Sequence, residues 1–220
     1  MQLKILIVED HPSMIEGYKV ILSYNELGYE IQSTTAHNCQ TAFELITNKH
    51  SLHFFDVIFL DYTLPAFEEQ NIFNGQDLAV LAKKFMPQSK IVVLTSHTES
   101  ILLYNIFKQV NPAGLLVKSD FTADELLVAF GVIMKNENYY SETAKKVIKE
   151  LSSEKGFLDK VNKQIILLIS QGIKTIDIPK YTNLSLSAVE KRKTFIRECL
   201  GIPKGNDAEI IKQAKKLHLI

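Results

Sequence analysis

Apolar residues recur along this chain with two different periods. Short, mostly β-branched or leucine-rich runs at residues 3–8, 31–35, 57–60, 91–94 and 115–117 predict strands. Between them, segments 14–27, 39–49, 76–85, 101–110 and 124–134 carry apolar residues at helical spacing. Five strands alternating with five helices predict an α/β fold with a doubly wound, five-stranded parallel sheet covered on both faces. After Met134 the pattern changes. Residues 135–156 are polar and mixed in charge, although Ala144, Val147, Ile148 and Leu151 can line one face of a helix. From Leu158 onward only helical spacing remains, in segments 158–170, 173–181, 185–200 and 207–217, which predicts a small all-α bundle. The organisation expected is therefore a first domain over 1–135, a linker with a helix over 136–156, and a second domain over 157–220.

Charge sharpens this division. The whole chain has 25 Lys and Arg against 25 Asp and Glu, so its formal net charge is zero. Residues 1–135 nevertheless hold nine Lys and no Arg against fifteen acids, a net −6, while residues 157–220 hold twelve Lys and Arg against six acids, a net +6. An acidic half suited to a cation and a basic half suited to a polyanion predict two functions. The apolar runs are too short to span a bilayer, and Glu9 and Asp10 interrupt the N-terminal run where a signal peptide would stay apolar. A cytoplasmic protein with no membrane contact is expected. Cys39 and Cys199 lie in different regions without metal-ligand spacing, which excludes a disulfide framework and a zinc site and leaves them as small apolar fillers.

Open parallel sheets place ligands beyond the carboxyl ends of their strands. The predicted strands end in Glu9-Asp10, Asp61, Thr95-Ser96 and Lys118, which gathers three carboxylates, a hydroxyl and an ammonium at one rim. Each alone is more often a solvated or capping residue; their occurrence together at matching strand ends points to chemistry. Three clustered carboxylates cannot all stay ionised without a compensating charge, and Mg²⁺ suits a shallow, partly hydrated oxygen site. Lys118 and Thr95 can then hold phosphoryl oxygens while Asp61 acts as the nucleophile that forms an acyl phosphate. His11 and His97 flank the site and are read as rim residues.

The blocks "ILIVEDHP", "DVIFLDYTLP", "IVVLTSH" and "GLLVKSD" occur in order at strand ends and resemble the four signature blocks of a response-regulator receiver domain of two-component signalling. The resemblance covers roughly residues 1–130 and implies a flavodoxin-like fold. It implies Glu9, Asp10, Asp61 and the Thr63 carbonyl as Mg²⁺ ligands, Asp61 as acceptor of a phosphoryl group from a sensor histidine kinase, Lys118 as its partner and Thr95 as the hydroxyl that moves to meet it. Two features depart from the family. Leu115 stands where an aromatic switch residue is usual, and Gly75 lies ten residues after Pro65 where a spacing of four is common. The difference is an insertion over residues 67–74 beside the phosphoacceptor, which either tunes partner choice and phosphoryl lifetime or is a plain solvated loop. A haloacid-type phosphatase would want a second Asp at the position of Thr63, so turnover as an enzyme is not expected.

In the basic half, a short helix, a turn and a basic amphipathic helix follow in the order of a helix-turn-helix reader. Ser187-Ala-Val-Glu190 has the pattern of a capping box, with Ser185 an earlier candidate cap, and Gly201 and Pro203 are expected to stop the helix. Val189, Ile196 and Leu200 share one face with Phe195 and Cys199, and Lys191, Lys193, Thr194 and Arg197 lie largely off it. The stretch "LLISQGIKTIDIPKYTNLSLSAVEKRKTFIRECLGI" is similar to the LuxR/NarL type of DNA-binding output domain. The resemblance implies that Glu190, Lys191 and Thr194 face base edges of double-stranded promoter half-sites, while Arg192, Lys193 and Arg197 touch phosphates. Asn162 in place of Glu, Glu190 in place of Lys, and Pro179 in place of a small helix residue depart from the family, and Pro179 predicts a shortened or kinked first reader helix. The function implied is a transcriptional response regulator that dimerises when phosphorylated. The alternative is a phosphorylation-gated protein-interaction adaptor whose bundle does not bind DNA.

Overall fold

The computed structural model describes residues 2–48, 54–152, 159–200, 202, 205–216 and 219–220. They divide into two compact units, Met1–His97 with Ile106–Lys145, and Thr98–Asn105 with Lys146–Ile220. No helix among the described residues is long and apolar enough to cross a membrane.

In the first unit the strands are β1 (Gln2–Val8), β2 (Glu30–Ala36), β3 (Val57–Asp61), β4 (Lys90–Thr95) and β5 (Gly114–Val117). Helices α1 (Pro12–Ser23), α2 (Cys39–Thr47), α3 (Gly75–Phe85), α4 (Ser100–Val110) and α5 (Ala123–Met134) alternate with them, α4 falling in the first unit only from Ile106 on. All pair in parallel, in the order β2-β1-β3-β4-β5, so the strand order reverses beside β1 as in flavodoxin-like folds. A parallel sheet must cover both faces, and the alternation of side chains shows how. Leu3, Ile5, Ile7, Val57, Phe59, Val92, Leu94 and Leu116 form one core with Ile15, Tyr18 and Leu22 of α1 and Leu126, Phe130 and Ile133 of α5. The intervening residues, among them Leu6, Ile58, Leu60 and Val93, are buried as well, so β1, β3 and β4 read as continuous apolar runs.

Five strands were expected and a sixth is present. β6 (Tyr139–Tyr140) pairs in parallel with β5 at the sheet edge, inside the stretch assigned to the linker. Two residues are too few to show a period, which is why the pattern does not reveal it. Directly after it begins α6 (Glu142–Ser152), with Ala144, Val147 and Leu151 buried. Its start is anchored to the loop after β5: Asp120 accepts from the N–H of Thr143 at 2.8 Å and from its hydroxyl at 2.9 Å, while buried Ser141 accepts from the N–H of Val117 at 3.1 Å.

The 67–74 insertion is a small folded unit. Phe67 and Ile72 pair as an antiparallel bridge around a 3₁₀ turn, Glu68–Gln70, closed by Asn71 in the left-handed region (φ 55°). Phe67 meets Phe43 of α2 edge to face at 5.6 Å, and Ile72 is buried. Asn74 then caps α3, accepting from the N–H groups of Gln76 and Asp77. The insertion thus delivers Gly75 against the backbone of the phosphoacceptor strand, where its N–H donates to the Tyr62 carbonyl at 2.9 Å and a Cβ would overlap the Asp61 carbonyl oxygen.

The second unit contains α7 (Lys160–Ser170), a 3₁₀ run over Thr175–Tyr181, α8 (Leu186–Cys199) and α9 (Asp207–Lys216). Gly172, at φ 80°, ends α7 in the left-handed conformation that glycine adopts without strain. The first reader segment is a short 3₁₀ run with Pro179 inside it, in keeping with the shortened helix expected where an N–H is missing. Ser185, not Ser187, caps α8, its side chain accepting from the N–H of Ala188. The expected helix limits at Lys49, Leu158 and Leu217, and the stop at Gly201 and Pro203, lie outside the described residues. Cys39 and Cys199 are free thiols, and burial pushes them up to about 11 and about 12.

Two outcomes follow from these contacts. Gly75→Ala is expected to lower stability by about 1–3 kcal/mol through overpacking, read as a drop in the urea midpoint; an unchanged midpoint would show that α3 can retreat freely. Burial works against the charge on Asp120, but hydrogen bonds from Ser141, Thr143 and Ser119 outweigh it and hold the carboxyl below its usual value of 3.8. Its stabilising effect is therefore complete above that value and is lost as the pH falls through the lower folded one. Amide exchange at Thr143 should accelerate in that acid window, and Asp120→Asn should produce a similar acceleration already at neutral pH.

Candidate functional site

The carboxyl ends of the strands deliver the expected side chains to one edge. Glu9 and Asp10 follow β1, Asp61 ends β3, Thr95 ends β4 and Lys118 follows β5. Backbone bonds hold these ends together: the Glu9 N–H donates to Ala36, that of Tyr62 to Leu94 and that of Lys118 to Thr95. The centre of the group is the Lys118 ammonium. It lies 2.8 Å from Glu9 Oε2 and 3.0 Å from Asp61 Oδ1, bridging two carboxylates whose side chains are only 1% and 6% exposed.

The electrostatics follow from that burial. Loss of water raises the Asp61 carboxyl above its usual value; Lys118 draws it back in part, and the charges of Glu9 and Asp10 push it up again. Burial alone would lower the Lys118 ammonium, but its bonds to Glu9 and Asp61 outweigh this and raise it, so it stays charged. Tyr18 of α1 lies close enough for Glu9 and Asp61 to act on its phenol, which burial first and those charges second hold well above the ordinary value. Its buried hydroxyl has no hydrogen-bond partner among the described residues.

His11 and His97 do more than line the rim. His11 Nδ1 lies 3.0 Å from Glu9 Oε1 and 2.7 Å from Asp10 Oδ1, and the ligand atoms of Glu9, Asp10 and His11 all fall within 4.8 Å of one another. The bond to Glu9 and the charge of Asp10 raise the His11 imidazole. Asp10 Oδ1 is buried and, among the described residues, has only the close approach of the His11 ring and no well-aligned hydrogen bond, so this carboxylate oxygen suits a hard cation. His97 ties two loops together: its backbone N–H donates to Thr95 Oγ1 at 3.0 Å, and its Nε2 lies 3.3 Å from the hydroxyl of exposed Thr63. Its ring also meets Tyr62 edge to face at 5.3 Å. The signal for His11 was its place directly after two acids. His97 was marked by its place just after the fourth strand, but its tie to Thr63 could be found only once β3 and β4 were known to be neighbours.

In the second unit, Glu190, Lys191 and Thr194 are exposed along α8. Arg197 is half-buried, with Nη2 donating to Thr194 Oγ1 at 3.0 Å. The other two expected phosphate contacts are turned to internal partners. Lys193 is 7% exposed and donates to Thr175 and, at 2.9 Å, to Asp207 at the start of α9. It is a correction to the expected set, because positions 189, 193, 196 and 200 share one helical face and that face is the buried one. Arg192 Nη1 donates to Asp159, the cap of α7, at 2.6 Å and to buried Asn162 at 2.8 Å, which accounts for an amide at 162: a carboxylate there would place a second charge beside Asp159.

The geometry agrees with what the chain is similar to. Residues 5–130 match the family model described as the response regulator receiver domain. The oxygen regulatory protein NreC of Staphylococcus aureus is 24% identical over 230 residues, covering 99% of both chains. A structure of two RcsB dimers bound to two parallel DNAs superimposes with a TM-score of 0.69 at 20% identity, covering 98% of each chain. RcsB from Salmonella enterica serovar Typhimurium, bound to promoter rprA in the presence of phosphomimetic BeF3-, does so with a TM-score of 0.66 at 19% identity over 96% of this chain and 97% of that one. With more than half its length matched by that model and the acidic edge assembled around Lys118, the chain belongs to the response-regulator receiver-domain family.

Proposed function

We propose that the protein is a two-component response regulator that takes a phosphoryl group on Asp61 from a sensor histidine kinase and controls transcription through its second unit. The bridging of Glu9 and Asp61 by Lys118 carries this reading, because it presents Asp61 at a strand end with one oxygen held by a cation and the other left to attack. That oxygen forms the new bond to phosphorus as the bond to the kinase imidazole nitrogen breaks, and the nitrogen leaves with its electron pair. Lys118 pairs with the phosphoryl oxygens, and the Thr95 hydroxyl moves to meet them. Glu9, Asp10, Asp61 and the Thr63 carbonyl would hold Mg²⁺ at this edge, a set of oxygens suited to a hard, partly hydrated cation. When bound, the ion neutralises the clustered carboxylates and the incoming phosphate.

The receiver takes residues 1–135, the linker 136–156 begins on β6 and α6, and the output domain takes 157–220. RcsB, with the same fold over nearly the whole chain, is seen on DNA as dimers, which supports a homodimer that binds promoter half-sites when phosphorylated. Glu190, Lys191 and Thr194 face the bases, and Arg197 reaches the backbone. The protein acts in the cytoplasm, as a switch and not as an enzyme with turnover.

Incubation with acetyl phosphate and Mg²⁺ is expected to add one phosphoryl mass to the parent and none to Asp61→Asn, and to increase retention of duplex DNA by the parent alone. A parent that gains no mass would overturn the receiver chemistry; one that gains mass but never retains duplex at low salt would make it a protein-binding adaptor. Salt dependence tests the corrected contact set. Arg197→Ala should reduce the slope of log affinity against log salt by about 0.9 for one lost phosphate contact. Lys193→Met should leave that slope unchanged and instead lower the thermal midpoint, because its ammonium holds Asp207.

A further inference from the structure

The exposed stripe of α8 is unlike a surface built only to meet phosphates. Ser187, Glu190, Lys191, Thr194 and Glu198 are exposed at helical spacing, opposite the buried face of Val189, Lys193, Ile196 and Leu200. Of the four cations on α8, Lys193 and Arg192 are held by Asp207 and Asp159, so the stripe presents Lys191 and the half-buried Arg197 beside two carboxylates. Among the described residues Glu190 and Lys191 make no side-chain hydrogen bond or ion pair, and both are free to take one from outside.

We propose that Glu190 accepts a hydrogen bond from the exocyclic amine of a cytosine in the major groove and so sets the base preference of each half-site. This rests on the reading of the second unit as a DNA reader. A carboxylate is an acceptor only, so it is repelled by phosphate oxygens and by the O6 and N7 of guanine and the O4 of thymine. The major-groove edges offer it donors only at cytosine N4 and adenine N6, and adenine sets its N7 acceptor beside that donor. Cytosine is therefore the base that Glu190 fits. Lys191, the next residue, is suited to the acceptors of a neighbouring guanine. Glu190 lies in the first turns of the second reader helix, the part of a helix-turn-helix that meets base edges.

The test is selection from a pool of randomised duplexes by the full-length chain, phosphorylated with acetyl phosphate and Mg²⁺, for the parent, Glu190→Ala and Glu190→Gln. The parent is expected to enrich cytosine at one position per half-site and to bind that duplex about fivefold or more tightly than one with thymine there. Glu190→Ala should flatten that position while keeping total binding equal or higher, since a charge facing the polyanion is gone. Glu190→Gln should move the preference to adenine, whose N6 and N7 suit an amide. A cytosine preference that survives in both variants, or a parent with none, would overturn the assignment of Glu190 while leaving the DNA-binding reading standing. A parent that enriches no duplex at low salt would overturn both.

Discussion

Two carboxylates buried side by side cannot both remain ionised unless a cation is placed between them. In this protein Lys118 is that cation, and its position fixes much else. Glu9 and Asp61 sit on neighbouring strands, and the ammonium comes from β5, two strands from Asp61. The three meet only if β1, β3, β4 and β5 run parallel and end level, so the sheet register and the site constrain each other. Desolvating each ion costs on the order of several kcal/mol, which the close contacts and the remaining hydrogen bonds must offset. A sheet covered on both faces supplies the rigid frame for this, with residues such as Phe59, Leu60, Val92 and Val93 leaving the strands no room to slip.

The first unit was legible because its physics is repetitive. Buried parallel strands must be apolar throughout, and the charged residues that break each run then mark the strand ends, so the same residues give the fold and the acidic edge. What a single sequence cannot display is proximity across strands. The tie between Thr63 and His97 joins residues 34 positions apart. β6 was hidden for a different reason: two tyrosines have no period, and only pairing with Gly114 and Leu115 makes them a strand.

The second unit was harder to read because charge does not reveal its partner. A net +6 over residues 157–220 suggests a surface for a polyanion, yet part of that charge holds the domain together. Lys193 sits at a position where helical phase calls for an apolar residue, and its stem fills the buried face while the ammonium reaches Asp207. Arg192 joins α8 to the first turn of α7 in the same manner. Pro179, by contrast, could be read directly: past the first turn, a residue without an N–H breaks or kinks a helix, and the 3₁₀ run contains it.

The tripeptide Lys118-Ser119-Asp120 faces two ways. Its first residue grips the buried carboxylates, and its last grips the N–H and hydroxyl of Thr143, where the polypeptide departs from the sheet. Two residue steps span about 7 Å at full extension, too little slack to let one end travel while the other stays still. A shift of the backbone at Lys118 is therefore carried directly to the root of α6, so the strand end that supplies the ammonium also anchors the chain where it leaves the sheet.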